Sequence, residues 1–426
     1  MKNLSPLKQD VLFSFIASVI ISLVMAAFQP APFFSAWYGA NLLLWLSFIL
    51  LLRTWRFFQG GRMLAILMLI TFFTRLLLGL IIYVSLPEIG FDNAAENAGY
   101  VYADAYVRDT QALTIARGEE PLSVVFSDEQ SADQYGGLMY LTAVIYRFFS
   151  LDEVRPVFIT ILAALTMTAG LAFLFDALRR RWGDQVALAA GWFYALYPEG
   201  ILLGSSQMRE ALMIPLAALA LYGLVRYKQD HTWRGPALIV SALLISLPFS
   251  PPFTAMLLVL LVILAPVLLE WRLLVKRQVW LILAVLGAVI FAGIWLSWGQ
   301  VAPQGTQNPL EYLRWFIQKS AEYQAYLSKQ ASGWLQAIFR STPEWLHLPF
   351  LMIYGMLRPL LPAALASGGN PVWQGIAIWR SFGWTVLLFL LAFALLQAFR
   401  QPKKDRSLLA LWMLMVLVML VASFRG

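Results

Sequence analysis

The sequence predicts an all-α integral membrane protein with about eleven transmembrane helices. Hydrophobic residues make up 60% of the 426-residue chain and charged residues 13%, and the mean hydropathy is +0.71. These values lie outside the range of water-soluble domains. The apolar residues form continuous Leu-rich runs close to the about 20 residues that a helix needs to cross a hydrocarbon core of about 30 Å. A membrane β-barrel would instead alternate apolar and polar residues, so helices are favoured.

Eleven apolar runs are expected to cross the bilayer, within a range of ten to twelve crossings. They are residues 11–29, 37–52, 62–86, 156–177, 186–204, 211–225, 236–249, 252–269, 278–297, 376–397 and 407–423. A further apolar stretch, 346–365, is interrupted by prolines and Arg358, and a full crossing there would move the basic residues 400–406 to the other side. This stretch is therefore expected to be re-entrant or interfacial.

Three regions are expected along the chain. Residues 1–297 form a transmembrane core that includes an external loop, 88–155; residues 298–375 form an external segment with amphipathic and re-entrant helices; and residues 376–426 form the C-terminal transmembrane helices. The first apolar run is followed by Gln, Pro and large aromatic residues where cleavage would need small ones, so it is expected to be a retained anchor. The end just past a helix is interpreted as a truncation or as the lack of a soluble C-terminal domain.

Lysine and arginine residues predict the orientation, because short cytoplasmic loops are enriched in them. Basic residues precede the first crossing and follow every even-numbered one up to the tenth, as in Arg179, Arg180 and Arg181. The N-terminus is therefore expected in the cytoplasm and loop 88–155 outside, in a prokaryotic plasma (inner) membrane. That loop holds over half of the 23 acidic residues, so the net charge of +8 describes a basic inner face and not nucleic-acid binding.

Cysteine and histidine usage limits the chemistry that the chain can carry. The sequence has no cysteine and only two histidines, His231 and His347, which excludes disulfides, thiolate metal sites and a histidine-rich metal site. The carboxylates of loop 88–155 could hold Mg²⁺ or Mn²⁺ through oxygen, but no ligand spacing supports this. No metal and no cofactor are expected. An acidic, aromatic external loop on a helical bundle instead suggests a reaction at the outer membrane surface with a carboxylate as the base.

Several segments, taken in their order along the chain, form a recognisable set of motifs. The run Tyr100 to Tyr106, continuing through Ala112 to Gly118, contains an Asp, a Tyr, a small-residue helix and a Gly. The other segments are Tyr135 to Leu141, Tyr146 to Phe149, Arg181 to Gly183, Val186 to Pro198, Ser205-Ser206, Arg209-Glu210 and Arg358-Pro359. In this order the segments resemble the GT-C superfamily of membrane glycosyltransferases, whose first-loop signature the run at Tyr100 matches, and the resemblance is best over residues 70–230.

The resemblance implies a polyprenyl-phosphate-sugar-dependent enzyme of mannosyltransferase or arabinosyltransferase type. Its partners would be the lipid bilayer, a polyprenyl-phosphate sugar donor and a glycan, lipid or protein acceptor on the extracytoplasmic face. Transfer would be inverting and would need a carboxylate base.

Asp104 is the expected base, and Glu210 is expected to orient it or to raise its pKa. Arg209, Arg358 and Arg108 are expected to contact the donor phosphate, since guanidinium groups bind phosphate oxygens in a bidentate way. Tyr106 and Tyr135, with Tyr100 and Tyr102, could stack on sugar rings. The reserve candidates for the base are Asp92, Glu96, Asp109 and Asp133.

Each assignment has a structural alternative. Asp104 could cap a helix that begins near Ala105, Glu210 could stabilise a helix dipole, and Arg358 could reach towards lipid headgroups. Arg75, near the middle of the third crossing, is expected to pair within the bundle. For the whole chain the alternatives are a multi-pass transporter or lipid flippase, an O-antigen polymerase-like protein and a non-catalytic membrane scaffold. The sequence shows no internal repeat of the kind that transporters have.

Overall fold

A computed structural model describes residues 6–29, 32–126, 135–269 and 370–400, together with a few isolated residues between 284 and 365. Over these ranges the secondary structure is helical, without a β-strand. The chain divides into two compact units, Met1–Ile290 and Phe291–Gly426. The predicted runs 278–297 and 407–423, and most of the segment 298–375, lie outside the described residues.

The described residues of the first unit form twelve α-helices and one 3₁₀-helix, Leu122–Phe126. The α-helices are α1 (Pro6–Ala26), α2 (Phe33–Phe58), α3 (Gly61–Ile89), α4 (Ala94–Asn97), α5 (Ala103–Arg117), α6 (Gly137–Phe149), α7 (Pro156–Trp182), α8 (Asp184–Leu196), α9 (Pro198–Gly204), α10 (Glu210–Asp230), α11 (Arg234–Ser246) and α12 (Pro251–Leu268). In the second unit, α13 spans Pro371–Arg400.

Six of these helices are long and apolar enough to cross a membrane, namely α1, α2, α3, α7, α10 and α13. Helices α8 and α9 make a seventh candidate if they are taken together, with a bend of 57° between them. These seven coincide with predicted crossings and confirm the prediction of a helical multi-pass membrane protein. Helices α11 and α12 are apolar but shorter in the described part, and the count of eleven is not confirmed.

Helix α7 lies at the centre of the first unit, where it packs against α2, α3, α8 and α10. About two thirds of its apolar window, 67%, is buried, compared with 33% for α1 and for α2. Small residues allow the close approach of neighbouring helices. A Cβ atom on Gly170 of α7, for example, would lie 2.7 Å from the Cα of Pro215 in α10.

The first unit has two chemically different ends. At the loop end, residues 90–126 and 135–155 meet the turn 205–209 and the turn between α11 and α12, where the Gly137 amide donates to the Pro248 carbonyl (3.1 Å). At the basic end, Arg56 pairs with Asp10, and Arg179 and Arg180 pair with Asp176. The basic residues thus gather opposite the acidic loop, as the alternation of charged loops predicts.

Arg155 connects the end of the loop 88–155 to the start of α2 through hydrogen bonds. Its fully buried guanidinium donates to Ser35 Oγ (2.8 Å) and to Asp152 Oδ2 (2.7 Å), and Ser35 also donates to Asp152 Oδ2 (2.6 Å). Burial alone would raise the pKa of Asp152, but the hydrogen bonds from Ser35, Ser150 and Arg155 outweigh it and lower this pKa to about 2. Asp152 therefore stays ionised and holds the loop against α2.

Candidate active site

Asp104 lies in the first turn of α5, at the loop end. The helix begins at Ala103 with Tyr102 as its N-cap residue, and no side chain caps it. The alternative that Asp104 is the helix cap is therefore wrong. Its side chain is exposed, and among the described residues no hydrogen bond or ion pair to its carboxylate is found. The Asp104 carboxylate therefore stands at the N-terminal end of a helix and is open to a ligand.

A small apolar cluster holds the first turn of α5 in place. Tyr100, Ala95 and Ala105 are its buried members, and Met208 of the turn 205–209 packs against them together with Tyr102 and Tyr106. Tyr106 is half-buried and meets the Tyr100 ring edge to face, with the ring centroids 5.6 Å apart. The cluster therefore places the segment around Asp104 beside the turn that leads into α10.

Arg108 makes a polar connection between the same two segments. It lies four residues after Asp104, on the same face of α5, and its buried guanidinium donates to the Gln207 carbonyl. The Gln207 side-chain amide in turn donates to the Pro156 carbonyl and to Thr160 Oγ1, both at 3.2 Å, at the start of α7. In this geometry Arg108 holds α5 against the protein, and contact with the donor phosphate stays a prediction.

Arg209 and Glu210 begin α10, as the sequence indicates. Arg209 is the N-cap residue, and its guanidinium carbon lies 5.2 Å from the centroid of the Tyr135 ring. Glu210 is half-buried in the first turn, and its Oε2 is buried without a hydrogen-bond partner among the described residues. The structure therefore brings Tyr135, Arg209 and Glu210 to the loop end, beside the turn that also contacts α5.

The reserve carboxylates contribute to the structure of the loop. Asp92 Oδ1 accepts a hydrogen bond from Asn97 Nδ2 (2.9 Å), and the buried Glu96 accepts one from the Phe91 amide. Asp109 is buried and accepts one from the Tyr100 hydroxyl. These contacts favour Asp104, which has none of this kind in the described part of the chain, as the base. Asp133 and Arg358 lie outside the described residues.

Asp109 has the most perturbed environment among the loop carboxylates. Burial raises its pKa to about 6, although the hydroxyls of Tyr100 and Tyr146 and the charge of Arg108 act in the opposite direction. Such a carboxylate belongs to the interior of the loop and not to a surface that a substrate could reach.

The described part of the chain contains no group of three or more histidine, aspartate or glutamate residues placed to hold a metal ion. The lack of a metal and of a cofactor remains a prediction from the sequence.

The fold is that of a multi-pass helical membrane protein with a candidate site, formed by carboxylates and an arginine, at one end of its helices. Residues 138–298 match the family model described as dolichyl-phosphate-mannose-protein mannosyltransferase. The match covers fewer than half of the 426 residues, contains Arg209 and Glu210, and begins after Asp104. It confirms the resemblance to the GT-C superfamily of membrane glycosyltransferases over these residues. No curated protein matches the chain.

Local sequence patterns do not predict the contacts that hold these segments together. The Arg108–Gln207 and Tyr100–Asp109 hydrogen bonds join side chains to partners that no local pattern specifies. One sequence feature could have indicated them. In Ser205-Ser206-Gln207, a polar Gln stands beside a membrane helix, where its side chain requires a hydrogen-bond partner.

Proposed function

We propose that the protein transfers a sugar from a polyprenyl-phosphate donor to a hydroxyl group of a glycan, lipid or protein acceptor, on the extracytoplasmic face of the plasma membrane. The observation that carries this proposal is the position of Asp104. Its exposed carboxylate lies on α5. Arg108 of the same helix donates a hydrogen bond to the Gln207 carbonyl, in the turn that leads into Arg209 and Glu210. These last two residues lie inside the segment that matches the mannosyltransferase family model.

The proposed chemistry is one inverting displacement. Asp104 takes the proton of the acceptor hydroxyl while the hydroxyl oxygen forms a bond to the anomeric carbon of the sugar. The bond from that carbon to the phosphate oxygen breaks at the same time, and the polyprenyl phosphate leaves with the electron pair. A phosphate is already a fair leaving group, so a base and cationic groups on the phosphate suffice without a general acid.

The arginine at the start of α10 suits the leaving group. Arg209 is half-buried, and its guanidinium lies against the Tyr135 ring, which limits its conformational freedom before the donor arrives. A guanidinium held in this way can contact two phosphate oxygens at once. Arg358 is proposed as a second phosphate contact on the grounds of its sequence position. Glu210, next to Arg209, is proposed to orient Arg209 or Asp104.

The test is sugar transfer by the purified protein in nanodiscs. Wild type is assayed with a panel of labelled polyprenyl-phosphate hexoses and pentoses, beside Asp104→Asn and the control Glu119→Gln. Asp104→Asn preserves size and removes the base, whereas Glu119 is an exposed carboxylate beyond the other end of α5. We expect Asp104→Asn to bind donor normally and to lose about 100-fold or more of its rate. Glu119→Gln should keep the wild-type rate.

Two outcomes would count against the proposal. Equal rates for wild type and Asp104→Asn would show that Asp104 is not the base and would leave transfer itself intact. Absence of both transfer and binding for every donor in the panel would overturn the polyprenyl-phosphate donor.

A further inference from the structure

Arg75 is a charged residue inside a membrane-spanning helix that the proposed chemistry does not use. It lies near the middle of α3, and its side chain is fully buried. A charge at this depth is costly unless it has partners. Its guanidinium donates to the backbone carbonyls of Thr71 (3.1 Å), Tyr194 (3.0 Å) and Ala195 (3.2 Å). Arg75 therefore pairs within the bundle, as expected, and two of its three partners belong to another helix.

The bend between α8 and α9 explains why these carbonyls need a donor. Helix α8 ends at Leu196, and α9 begins at Pro198 after a turn of 57°. Because Pro198 has no N–H, the carbonyl of Tyr194 loses its partner four residues ahead. The C-terminal end of a helix also carries partial negative charge. The Arg75 guanidinium donates the missing hydrogen bond and places a positive charge at this helix end. It also lies 5.7 Å from the centroid of the Tyr194 ring.

Glycine residues provide the space for this contact. A Cβ atom on Gly204 of α9 would lie 2.7 Å from Cδ of Arg75, and one on Gly200 would lie 3.7 Å from its terminal nitrogen. One turn further along α3, a Cβ atom on Gly79 would lie 2.7 Å from the Ser205 carbonyl oxygen. Helix α3 therefore touches α9 through the Arg75 side chain and touches the start of the turn 205–209 directly.

We propose that Arg75 is a positioning residue that caps α8 at its bend and thereby fixes the turn 205–209 opposite α5. Ser205, at one end of this turn, lies against α3, and Gln207, at its centre, accepts the hydrogen bond from Arg108. Arg209 and Glu210 follow directly. The effect of Arg75 on catalysis rests on the proposed sugar transfer, whereas its effect on the bend does not.

The bend can be measured without an activity assay, because the chain has no native cysteine. Spin labels on Val186→Cys in α8 and Leu203→Cys in α9 report their separation across the bend by pulsed electron paramagnetic resonance. With a helical rise of about 1.5 Å per residue, straightening the bend would lengthen this separation by about 3 Å. The variants are Arg75→Met, Arg75→Lys and Gly204→Ala. Gly191→Ala is the matched control, because its Cβ would lie 2.8 Å from Leu67 Cδ1 of α3, before the bend.

We expect Arg75→Met and Gly204→Ala to shift or broaden the distance distribution and Arg75→Lys to restore it in part. Gly191→Ala should leave it as in wild type. In unlabelled protein the first two variants should lose about 10-fold or more in kcat with little change in the KM for the donor, because a small displacement of catalytic groups slows the chemical step. Gly204→Ala keeps the arginine charge, so it carries the test if Arg75→Met does not fold.

A wild-type distance distribution in both Arg75→Met and Gly204→Ala would overturn the proposal. A loss of rate at an unchanged distance would overturn it as well. If wild type transfers no sugar, the distances still decide whether Arg75 fixes the bend, so the failure of the proposed function is distinguishable from the failure of this inference.

Discussion

Asp176 at the basic end of the first unit and Asp104 at its loop end lie in opposite environments. At the basic end, Asp176 is fully buried and accepts hydrogen bonds from Arg179 and Arg180, the latter at 2.5 Å. At the loop end, Asp104 is exposed, and Glu210 leaves one buried oxygen without a partner in the described part of the chain. Both ends border the same apolar helices, so the membrane alone does not explain the difference.

A charged side chain whose partners lie within the protein stabilises the fold, whereas one without such partners is available to a ligand. The arginines that pair with Asp176 also reach other elements, because Arg179 donates to the Phe58 carbonyl (2.9 Å) and Arg180 to Gln229 Oε1 (3.2 Å). This cluster joins α7 to α2 and α10. At the loop end Arg108, Arg155 and Asp109 make the connecting hydrogen bonds, and the proposed function assigns Asp104 and Arg209 to the substrate.

The largest effect on stability is expected at the basic end. Asp176→Asn removes one buried charge that accepts two charge-assisted hydrogen bonds, each worth about 1.5–3 kcal/mol, so the free energy of unfolding should fall by about 3–6 kcal/mol. Titration with SDS from mixed micelles measures this quantity. Asp104→Asn, at the other end, should leave it unchanged within about 0.5 kcal/mol.

Asp230→Asn provides the matched control for Asp176. It breaks the ion pair with Arg226 (2.9 Å) near the surface, and such a pair contributes about 1 kcal/mol or less. Similar losses for Asp176→Asn and Asp230→Asn would contradict the assignment of Asp176 as the central structural charge of the basic end.

A pH dependence of stability should come from Asp109. Its pKa is raised from 3.8 in an unperturbed carboxyl to about 6, so between these values the folded protein binds more protons than the unfolded chain. Stability from this group should therefore fall as the pH rises from about 4 to about 6, by at most about 3 kcal/mol. The experiment compares the unfolding of wild type and Asp109→Asn over this range. Parallel profiles would show that Asp109 does not titrate there.

Local patterns predicted those parts of the structure that depend on neighbours in sequence. The runs of apolar residues located α1, α2, α3, α7, α10 and α13 with ends that differ by at most six residues, because membrane insertion depends on the length and hydrophobicity of a segment. The charge alternation placed Asp104 and Glu210 at the same end. Glu210 at the start of α10 and a helix near Ala105 were also predicted.

Long-range contacts could not be predicted in this way. Pro198 lies inside the predicted crossing 186–204, and nothing near it in sequence indicates that Arg75 satisfies the freed carbonyl of Tyr194. Arg108 was expected at the donor phosphate because arginine suits phosphate. Its contact with the Gln207 carbonyl depends on how α5 packs against the turn 205–209, which only the fold determines.

Arg108→Met tests whether the loop end really contains a structural arginine. The variant leaves the buried Gln207 carbonyl without this donor, which should cost about 1–3 kcal/mol of stability. The KM for the donor should change by less than in Arg209→Met. The measurements are SDS titration for stability and initial rates for KM. A large increase in the KM for the donor at wild-type stability would instead show that Arg108 contacts the donor phosphate.

The smallest effect is expected at Tyr135. Its ring lies 5.2 Å from the Arg209 guanidinium carbon, and an interaction of this kind is worth about 0.5–1 kcal/mol at an accessible site. Tyr135→Leu should therefore raise the KM for the polyprenyl-phosphate donor about two- to fivefold, while Tyr135→Phe, which keeps the ring, should remain close to wild type. If both variants raise KM equally, the Tyr135 hydroxyl contacts the substrate directly. If neither does, Arg209 is positioned without the ring, and the loop end is less organised for substrate than the comparison with the basic end indicates.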